Sequence, residues 1–309
     1  MVTGGAGFIG ANLCKELIKE GANVILCDNL STGSEKNLRF ISEYGSFHFE
    51  KIDVNNDYDK LKEIFRKNSP EYVFHLAAFV GVKRNIENPL KAFEDMKGIE
   101  NVVKLCLDSG VEKLVFSSSS EVYGEPVTFP QNETSPLNPK IPYAVVKIYG
   151  EKLLETYYLN KGLRFCTVRI FNAYGPLQNN QDGYGFVIGI FFSNLLSGNA
   201  VILYGDGKQT RDFIFVDDLV NILVSTLKED FDGKIVNVGT GKPITILHLY
   251  RMICDVTGIY KEPLFENPRP YEVRHRWADI TQLQKLIGEP KTEIKEGLLK
   301  TFEFLKKQR

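Results

Sequence analysis

Short apolar runs rich in β-branched residues punctuate the first half of the chain: ANVILCD, FHFEKID, YVFHLA, EKLVFSS and LRFCTVRI. Each is too short for a helix and is bounded by polar or glycine-containing segments, so each predicts a buried strand. Between them lie NLCKELIKEG, DKLKEIFRKN, LKAFEDMKGIENVVKLCLDSG and YAVVKIYGEKLLETYYLNKG, where apolar residues return every three or four positions and predict amphipathic helices. Strict alternation of the two patterns implies parallel βαβ units, an α/β fold whose sheet is covered by helices on both faces. From about Asn172 the pattern loosens into NAYGPLQNNQDGYG, a loop, ahead of a helix at FVIGIFFSNLLSG. DFIFVDDLVNILVSTL and IVNVGTG return to strand and helix, and IKEGLLKTFEFLKKQ is a last helix. No repeat or low-complexity segment interrupts this order. The expected organisation is a larger unit over 1–171 plus 211–241, with a smaller, interleaved C-terminal α/β unit over 172–210 plus 242–309.

Composition narrows the partners. The 309 residues are 43% hydrophobic and 25% charged, as suits a chain with a full core in one large or two interlocked domains. Lys plus Arg number 38 against 39 Asp plus Glu, and no basic block stands out. The electrostatic footprint of a nucleic-acid binder is missing, so small-molecule partners are expected. The five cysteines (Cys14, Cys27, Cys106, Cys166, Cys254) are spread through apolar runs, which fits buried free thiols in a reducing cytoplasm. No two of His48, His75, His248 and His275 stand at i, i+4, so no metal site is expected. The longest apolar run, around FVIGIFF, is too short to cross a bilayer, and no signal-peptide pattern opens the chain. No membrane partner and a cytoplasmic location are therefore expected.

MVTGGAGFIGANLCKELI places Gly4, Gly7 and Gly10 at the mouth of the first helix. Glycines there permit a tight turn, close approach of backbone to a pyrophosphate and close helix packing, while the helix N-terminus attracts negative charge. A glycine turn alone is a weak signal. Its context strengthens it, because Asp28 ends the next strand at about the 20-residue spacing where a carboxylate receives a ribose 2′-hydroxyl. Asp28 would repel a 2′-phosphate, and NLSTGS supplies no cation to welcome one, so NAD is expected over NADP. Asp53, at the end of FHFEKID, is a candidate for the adenine amine or for a local cap. The larger unit is thus expected to be a Rossmann-type doubly wound parallel sheet that binds NAD.

In IPYAVVKIYGEKLLETYY, Tyr143 and Lys147 stand four residues apart and so share one helix face, with Pro142 suited to the helix start. The ammonium is expected to lower the phenol's pKa, so that the tyrosine can take a hydroxyl proton while a nicotinamide takes the hydride. An isolated pair of this kind more often simply packs and snorkels. SSSSEVYG changes that balance by supplying hydroxyls just beyond the strand EKLVF, where open α/β sheets bind ligands.

With these motifs in order the chain resembles the extended short-chain dehydrogenase/reductase family, specifically its nucleotide-sugar epimerases, dehydratases and decarboxylases. TGGAGFIG, DNLSTG, HLAA, SSSSEVYG, the Tyr and Lys of PYAVVK, RIFNAYGP, GDGKQTRDFIFVDDLV, NVGTG and RPYEVRHRWADI carry the likeness over nearly the whole chain. The resemblance implies Tyr143 as base, Lys147 as its partner and Ser119 as the hydroxyl on the same sugar oxygen. It implies an NAD site that takes in Gly4, Gly7, Phe8, Ile9 and Gly10 at the first turn, and Asn29, Ser31, Thr32 and Gly33 after Asp28. Asp53 and Val54, Leu76 to Ala78 (with Ala77), Ser117, Tyr143 and Lys147 complete that site. Asn172, Arg211 and Arg269 would hold the nucleotide diphosphate. Three positions depart from the family pattern: Val146 for serine, Asp95 for asparagine and Leu177 for arginine.

The implied chemistry is oxidation of a sugar at C4 to a 4-ketose. A 4-epimerase then returns hydride to the other face, and the run of epimerase-like motifs makes this the expected activity, on a UDP-hexose such as UDP-glucose, UDP-galactose or their N-acetyl forms. Glu121 and Arg276 point elsewhere. If the strand stays extended, Glu121 faces the same side as Ser119 and reaches C5, and Arg276 would sit by the hexose, as in UDP-glucuronate decarboxylases; its bland alternative is a surface ion pair. Decarboxylation or 4,6-dehydration is therefore the alternative, with a 4-ketosugar reductase beyond it. A non-catalytic NAD-binding regulator would have no need of Ser119, Tyr143 and Lys147. The helices LKAFEDMKGIENVVKL and YAVVKIYGEKLLETYY are where the resemblance places a homodimer contact.

Overall fold

The computed structural model describes residues 1–178, 186–269 and 272–308. All of NNQDGYG, the second half of the expected loop, and positions 270 and 271 of the RPYEVRH run lie outside them. The strands are β1 (Val2–Thr3), β2 (Ile25–Asp28), β3 (His48–Lys51), β4 (Tyr72–His75), β5 (Lys113–Ser119), β6 (Phe165–Ile170), β7 (Asn172–Tyr174), β8 (Ile202–Tyr204), β9 (Thr210–Phe215), β10 (Lys234–Val238), β11 (Pro243–Thr245), β12 (Leu264–Glu266) and β13 (His275–Arg276). The helices are α1 (Phe8–Lys19), α2 (Glu35–Ser42), α3 (Tyr58–Asn68), α4 (Val82–Glu87), α5 (Pro89–Asp108), α6 (Pro142–Lys161), α7 (Val187–Leu196), α8 (Val216–Ser225), α9 (Ile246–Thr257), α10 (Thr281–Ile287) and α11 (Ile294–Lys307).

Seven parallel strands form the main sheet in the order β10-β6-β5-β4-β1-β2-β3. From β1 the chain winds outward to β3 and then crosses back to β4, so the order reverses between β1 and β4. A crevice opens at such a reversal, beyond the strand C-termini, and that is where open α/β sheets bind ligands. Although β1 has only two residues, Val2 pairs with both Leu26 and Phe74. Strands such as KLVFSSS are buried almost end to end because helices cover both faces. On one face α1 and α8 pack through Leu13, Leu17, Leu219 and Leu223; on the other α3, α5 and α6 pack through Leu61, Val102, Val146 and Leu154.

A third core, built from Phe192, Leu195, Leu203, Leu249, Ile253 and Leu298, belongs to the smaller unit. There β9 pairs with β7, β11 and β13, and β8 pairs with β12. The boundary expected at 211 falls inside β9, whose strand partners β7, β11 and β13 all lie in the small sheet. The chain rejoins the main sheet's helical layer only with α8, directly after Phe215. The short elements α2, α4, β7, β8 and β11 to β13 were not legible as separate elements, because two to eight residues hold too little of either period. Among the described residues no helix is long and apolar enough to cross a membrane. All five cysteines are free and buried, and burial pushes the Cys27 and Cys166 thiols up to about 12.

Candidate active site

The C-terminal ends of β1, β2, β4, β5 and β6 open into one cavity of about 840 Å³. At one end lies the first turn. Gly4 takes a left-handed φ of +70°, and a Cβ on Gly10 would stand 2.2 Å from the Gly4 carbonyl oxygen, so helix and turn can close together only without side chains. Gly7 caps α1 and brings no side chain to its free N–H groups, which are left to an anion. Phe8 and Ile9 follow on the cavity wall. The Asp28 carboxylate accepts the Ala6 N–H at 3.0 Å and the Leu30 N–H at 2.7 Å. Burial raises its pKa, partly offset by those two bonds. A Cβ on Gly33 would come within 2.8 Å of Asp28 Oδ1, so this glycine lets the loop fold over the carboxylate. Gly33 is not on the wall itself; Asn29, Ser31 and Thr32 are. Asp53 also lines the cavity while accepting from the Asn55 N–H at 2.9 Å and from the Asn29 and Asn56 amides. Its local and cavity-facing roles coexist. Val54, Leu76, Ala77, Ala78 and Ser117 complete this wall.

At the other end stand Ser119, Tyr143 and Lys147, all on the same cavity. Ser119 closes β5, and its Oγ accepts the Glu121 N–H at 3.2 Å. The chain does not stay extended there: a 3₁₀ turn begins at Ser120, so the alternation expected to align Glu121 with Ser119 is broken. Glu121 nonetheless reaches the cavity. Tyr143 lies at the second position of α6, right after Pro142, and Lys147 is one turn on. The Lys147 Nζ is 5.4 Å from the Tyr143 ring centre and 4.8 Å from that of Phe116.

The expected lowering of the phenol's pKa is not what the structure gives. Burial raises the Tyr143 pKa well above the usual phenol range; a hydrogen bond with Ser119 pulls it down, and the charges of Glu121 and Asp95 push it up. Desolvation outweighs whatever the ammonium supplies across a ring-to-amine separation of this size. Burial also draws the Lys147 pKa down to about 8 against the opposing pull of Asp95 and Glu151.

Arg276, read as an even choice between a sugar contact and a surface pair, is 3% exposed. Its NH1 and NH2 form a two-pronged bond to the Glu121 carboxylate, the NH2 to Oε2 distance being 3.0 Å. Burial raises the Glu121 pKa, but Arg276 and then Arg211 outweigh it and hold the carboxyl below its usual value. Asn172 lines the cavity and donates to the Asp212 carbonyl at 3.0 Å, whereas Arg211, Arg269 and Arg276 stand off the wall. Arg211 lies 3.6 Å from Glu272, and burial lowers its pKa to about 10. The Arg269 guanidinium stacks 3.7 Å over the Tyr204 ring. Glu272, which also accepts from Gln209 at 3.3 Å, was not singled out from the sequence, although it sits within the RPYEVRH motif.

Two of the departing residues change the site and one does not. Val146 is buried in the core beside Ile99 and Phe116, away from the cavity. Leu177 lines the cavity at a φ of +69°, a strained left-handed conformation for a residue with a Cβ. Asp95 bonds the Phe79 N–H at 2.6 Å and the Asn55 amide at 3.0 Å. Sequence reasoning missed Asn85, which bonds the Tyr143 backbone, and Glu151, one helical turn beyond Lys147. The repeat of Tyr143, Lys147 and Glu151 at four-residue spacing was a signal for the latter.

The family model of the NAD dependent epimerase/dehydratase family matches residues 1–239. A UDP-glucose 4-epimerase of Mycolicibacterium smegmatis is 36% identical over 309 residues, covering 99% of this chain and 98% of its own. UDP-glucuronic acid decarboxylase 1 of Xenopus tropicalis is 31% identical over 315 residues, 100% of this chain and 72% of its own. Among solved structures, the UDP-glucose 4-epimerase of Thermotoga maritima with UDP-glucose superposes with a TM-score of 0.93 at 36% identity, covering 99% of this chain and 98% of that one.

Proposed function

The chain belongs to the NAD-dependent epimerase/dehydratase family, and from that premise we propose that it inverts a UDP-hexose at C4 through a transient 4-keto sugar. The observation that carries the proposal is the convergence of Ser119, Tyr143 and Lys147 on the cavity that also receives the glycine turn and Asp28. The first turn suits NAD: Gly7 leaves the α1 N-terminus open to a pyrophosphate, and the Asp28 carboxylate faces the cavity for a ribose hydroxyl. When bound, NAD supplies a hydride acceptor and donor for sugar C4. Tyr143 takes the C4 hydroxyl proton at Oη and returns it, while Ser119 Oγ hydrogen-bonds the same sugar oxygen. Lys147 keeps a charge-bearing amine beside the phenol. Asn172, Arg211 and Arg269 bind the nucleotide diphosphate in this proposal.

Incubating the purified protein with UDP-glucose, UDP-galactose and their N-acetyl forms, with products identified by NMR, tests it; the expected product is the C4 epimer. A second reading draws support from the pairing of buried Arg276 with the half-buried Glu121. A uronate carboxylate would compete with Glu121 for the planar Arg276 fork, which suits carboxylates, and release of carbon dioxide from UDP-glucuronic acid would make decarboxylation the activity. We also place a second copy of the chain against α4 to α6, where Ile86, Leu90, Phe93 and Val145 are exposed. The five free thiols fit a reducing cytoplasm.

A further inference from the structure

Asn85 lies in α4 with no solvent exposure, and its amide joins three segments of the chain. Its Oδ1 accepts the Tyr143 N–H at 3.1 Å, and its Nδ2 donates to the carbonyls of Gly81 at 2.9 Å and Phe79 at 3.1 Å. Only this orientation of the amide satisfies all three partners, because one is a donor and two are acceptors. The start of α6 brings no cap of its own: Ile141, at the cap position, has no side-chain acceptor. One of the orphan N–H groups of that helix end is therefore satisfied from a residue 58 positions away. Phe79 is gripped on its other side as well, its N–H donating to Asp95 at 2.6 Å while Asp95 also holds Asn55. Phe79 to Gly81, Asp95 and Tyr143 all line the cavity.

We propose that Asn85 is a positioning residue for the reaction, fixing the first turn of α6, and with it the Tyr143 phenol, against the Phe79–Gly81 strap of the cavity wall. This rests on Tyr143 as the proton-exchanging group of the proposed epimerisation. A phenol displaced by about 1 Å from its sugar hydroxyl loses on the order of 10²-fold in rate. A cap with no link to the chemistry would lower stability and leave turnover per folded enzyme unchanged.

The full chain carrying Asn85→Ala or Asn85→Asp is compared with wild type for kcat, KM, released NAD and amide exchange at Tyr143. Asn85→Ala is expected to keep its NAD and its KM while kcat falls about 10²-fold, with faster exchange at Tyr143. Asn85→Asp keeps an acceptor for the Tyr143 N–H but loses both bonds to the Phe79 and Gly81 carbonyls, so exchange at Tyr143 stays slow while kcat, read at the alkaline plateau, still falls. An unchanged kcat in Asn85→Ala, or loss of NAD in step with kcat, would overturn the assignment. Should Asn85→Ala not fold, Asn85→Asp decides: a lowered kcat at the alkaline plateau with KM and NAD kept supports the assignment, and a retained kcat overturns it. Tyr143→Phe separates the two levels, since general-base loss costs about 10²- to 10⁴-fold. An active Phe variant removes the reading of Tyr143 and this assignment with it; an inactive one beside a fully active Asn85→Ala removes only the assignment.

Discussion

At the scale of single residues, the Tyr143 phenol sits under opposing influences: burial and the charges of Glu121 and Asp95 keep its proton on, and Ser119 loosens it. The proposed reaction should therefore quicken as pH rises toward the phenol's own titration. Removing the Glu121 charge removes one of the raising influences, so Glu121→Gln is expected to move the rising limb of the kcat/KM profile to lower pH while epimerisation continues, because C5 never reacts. Loss of all turnover in that variant would favour the decarboxylase or dehydratase reading. His75 offers a test that does not depend on the reaction. Burial, helped by the Lys147 charge, lowers its pKa from 6.5 to about 3, and its Nδ1 meets Thr3 Oγ1 at 2.7 Å. Between those two values the unfolded chain binds a proton that the folded one refuses, so stability falls as pH drops below 6.5 toward 3. In urea unfolding at pH 7 and pH 5, His75→Asn should flatten that dependence, the amide replacing Nδ1 beside Thr3. The motif residues of this site were legible in the sequence because glycine, tyrosine and lysine stand at short, fixed spacings. The charge state of Tyr143 was not, since it depends on burial and on Glu121 and Asp95, which reach it from other elements.

At the scale of elements, a buried network ties β5, β6 and α6 behind the Tyr143 and Lys147 wall. Arg169 of β6 donates to both carboxylate oxygens of Glu151 at 2.9 and 2.7 Å and to the Tyr123 hydroxyl at 2.9 Å, and Ser118 donates to Glu151 at 2.5 Å. Arg169→Met would strand the Glu151 carboxylate in the interior, and breaking a buried pair in this way costs about 3–5 kcal/mol. Chemical denaturation should show that loss, and Glu151→Gln combined with Arg169→Met should recover part of it. Long periodic helices such as α5 and α6, and the five strands β2 to β6, could be placed from pattern alone because each carries its signal over several turns or an entire run, although β3 (HFEK) is half-exposed rather than buried. The short α4 could not be, although Asn85 makes it matter: six residues between Gly81 and Asn88 hold less than two turns of a helical period. The small-sheet strands are two to six residues long, and their pairing around β9 is set by contacts far apart in the chain.

For the whole molecule, the proposed dimer predicts that Leu90→Glu, a charge at a site 80% exposed on α5, shifts the chain from dimer to monomer in light scattering without disturbing its fold. A wild-type chain that is monomeric at working concentrations would refute the proposed partner surface. Several features followed from the sequence by itself: the alternating α/β order, the glycine turn with Asp28 at its spacing, the Tyr143–Lys147 helix face and the hydroxyls at the C-terminal end of β5. These are local, because a period of two or of 3.6 residues and the reach of a helical turn are properties of neighbouring residues. Tertiary structure alone decided which strands meet and which distant groups share a low-dielectric space. It paired β9 with the small-sheet strands, broke the extended run at Ser120, and drew Arg276, which the sequence left open between a sugar contact and a surface pair, into a fork with Glu121, 155 residues away. It set Asn85 on the backbone of Tyr143. Burial and pairing energies arise between segments that the chain brings together only when the sheet closes, and no spacing along the sequence encodes them.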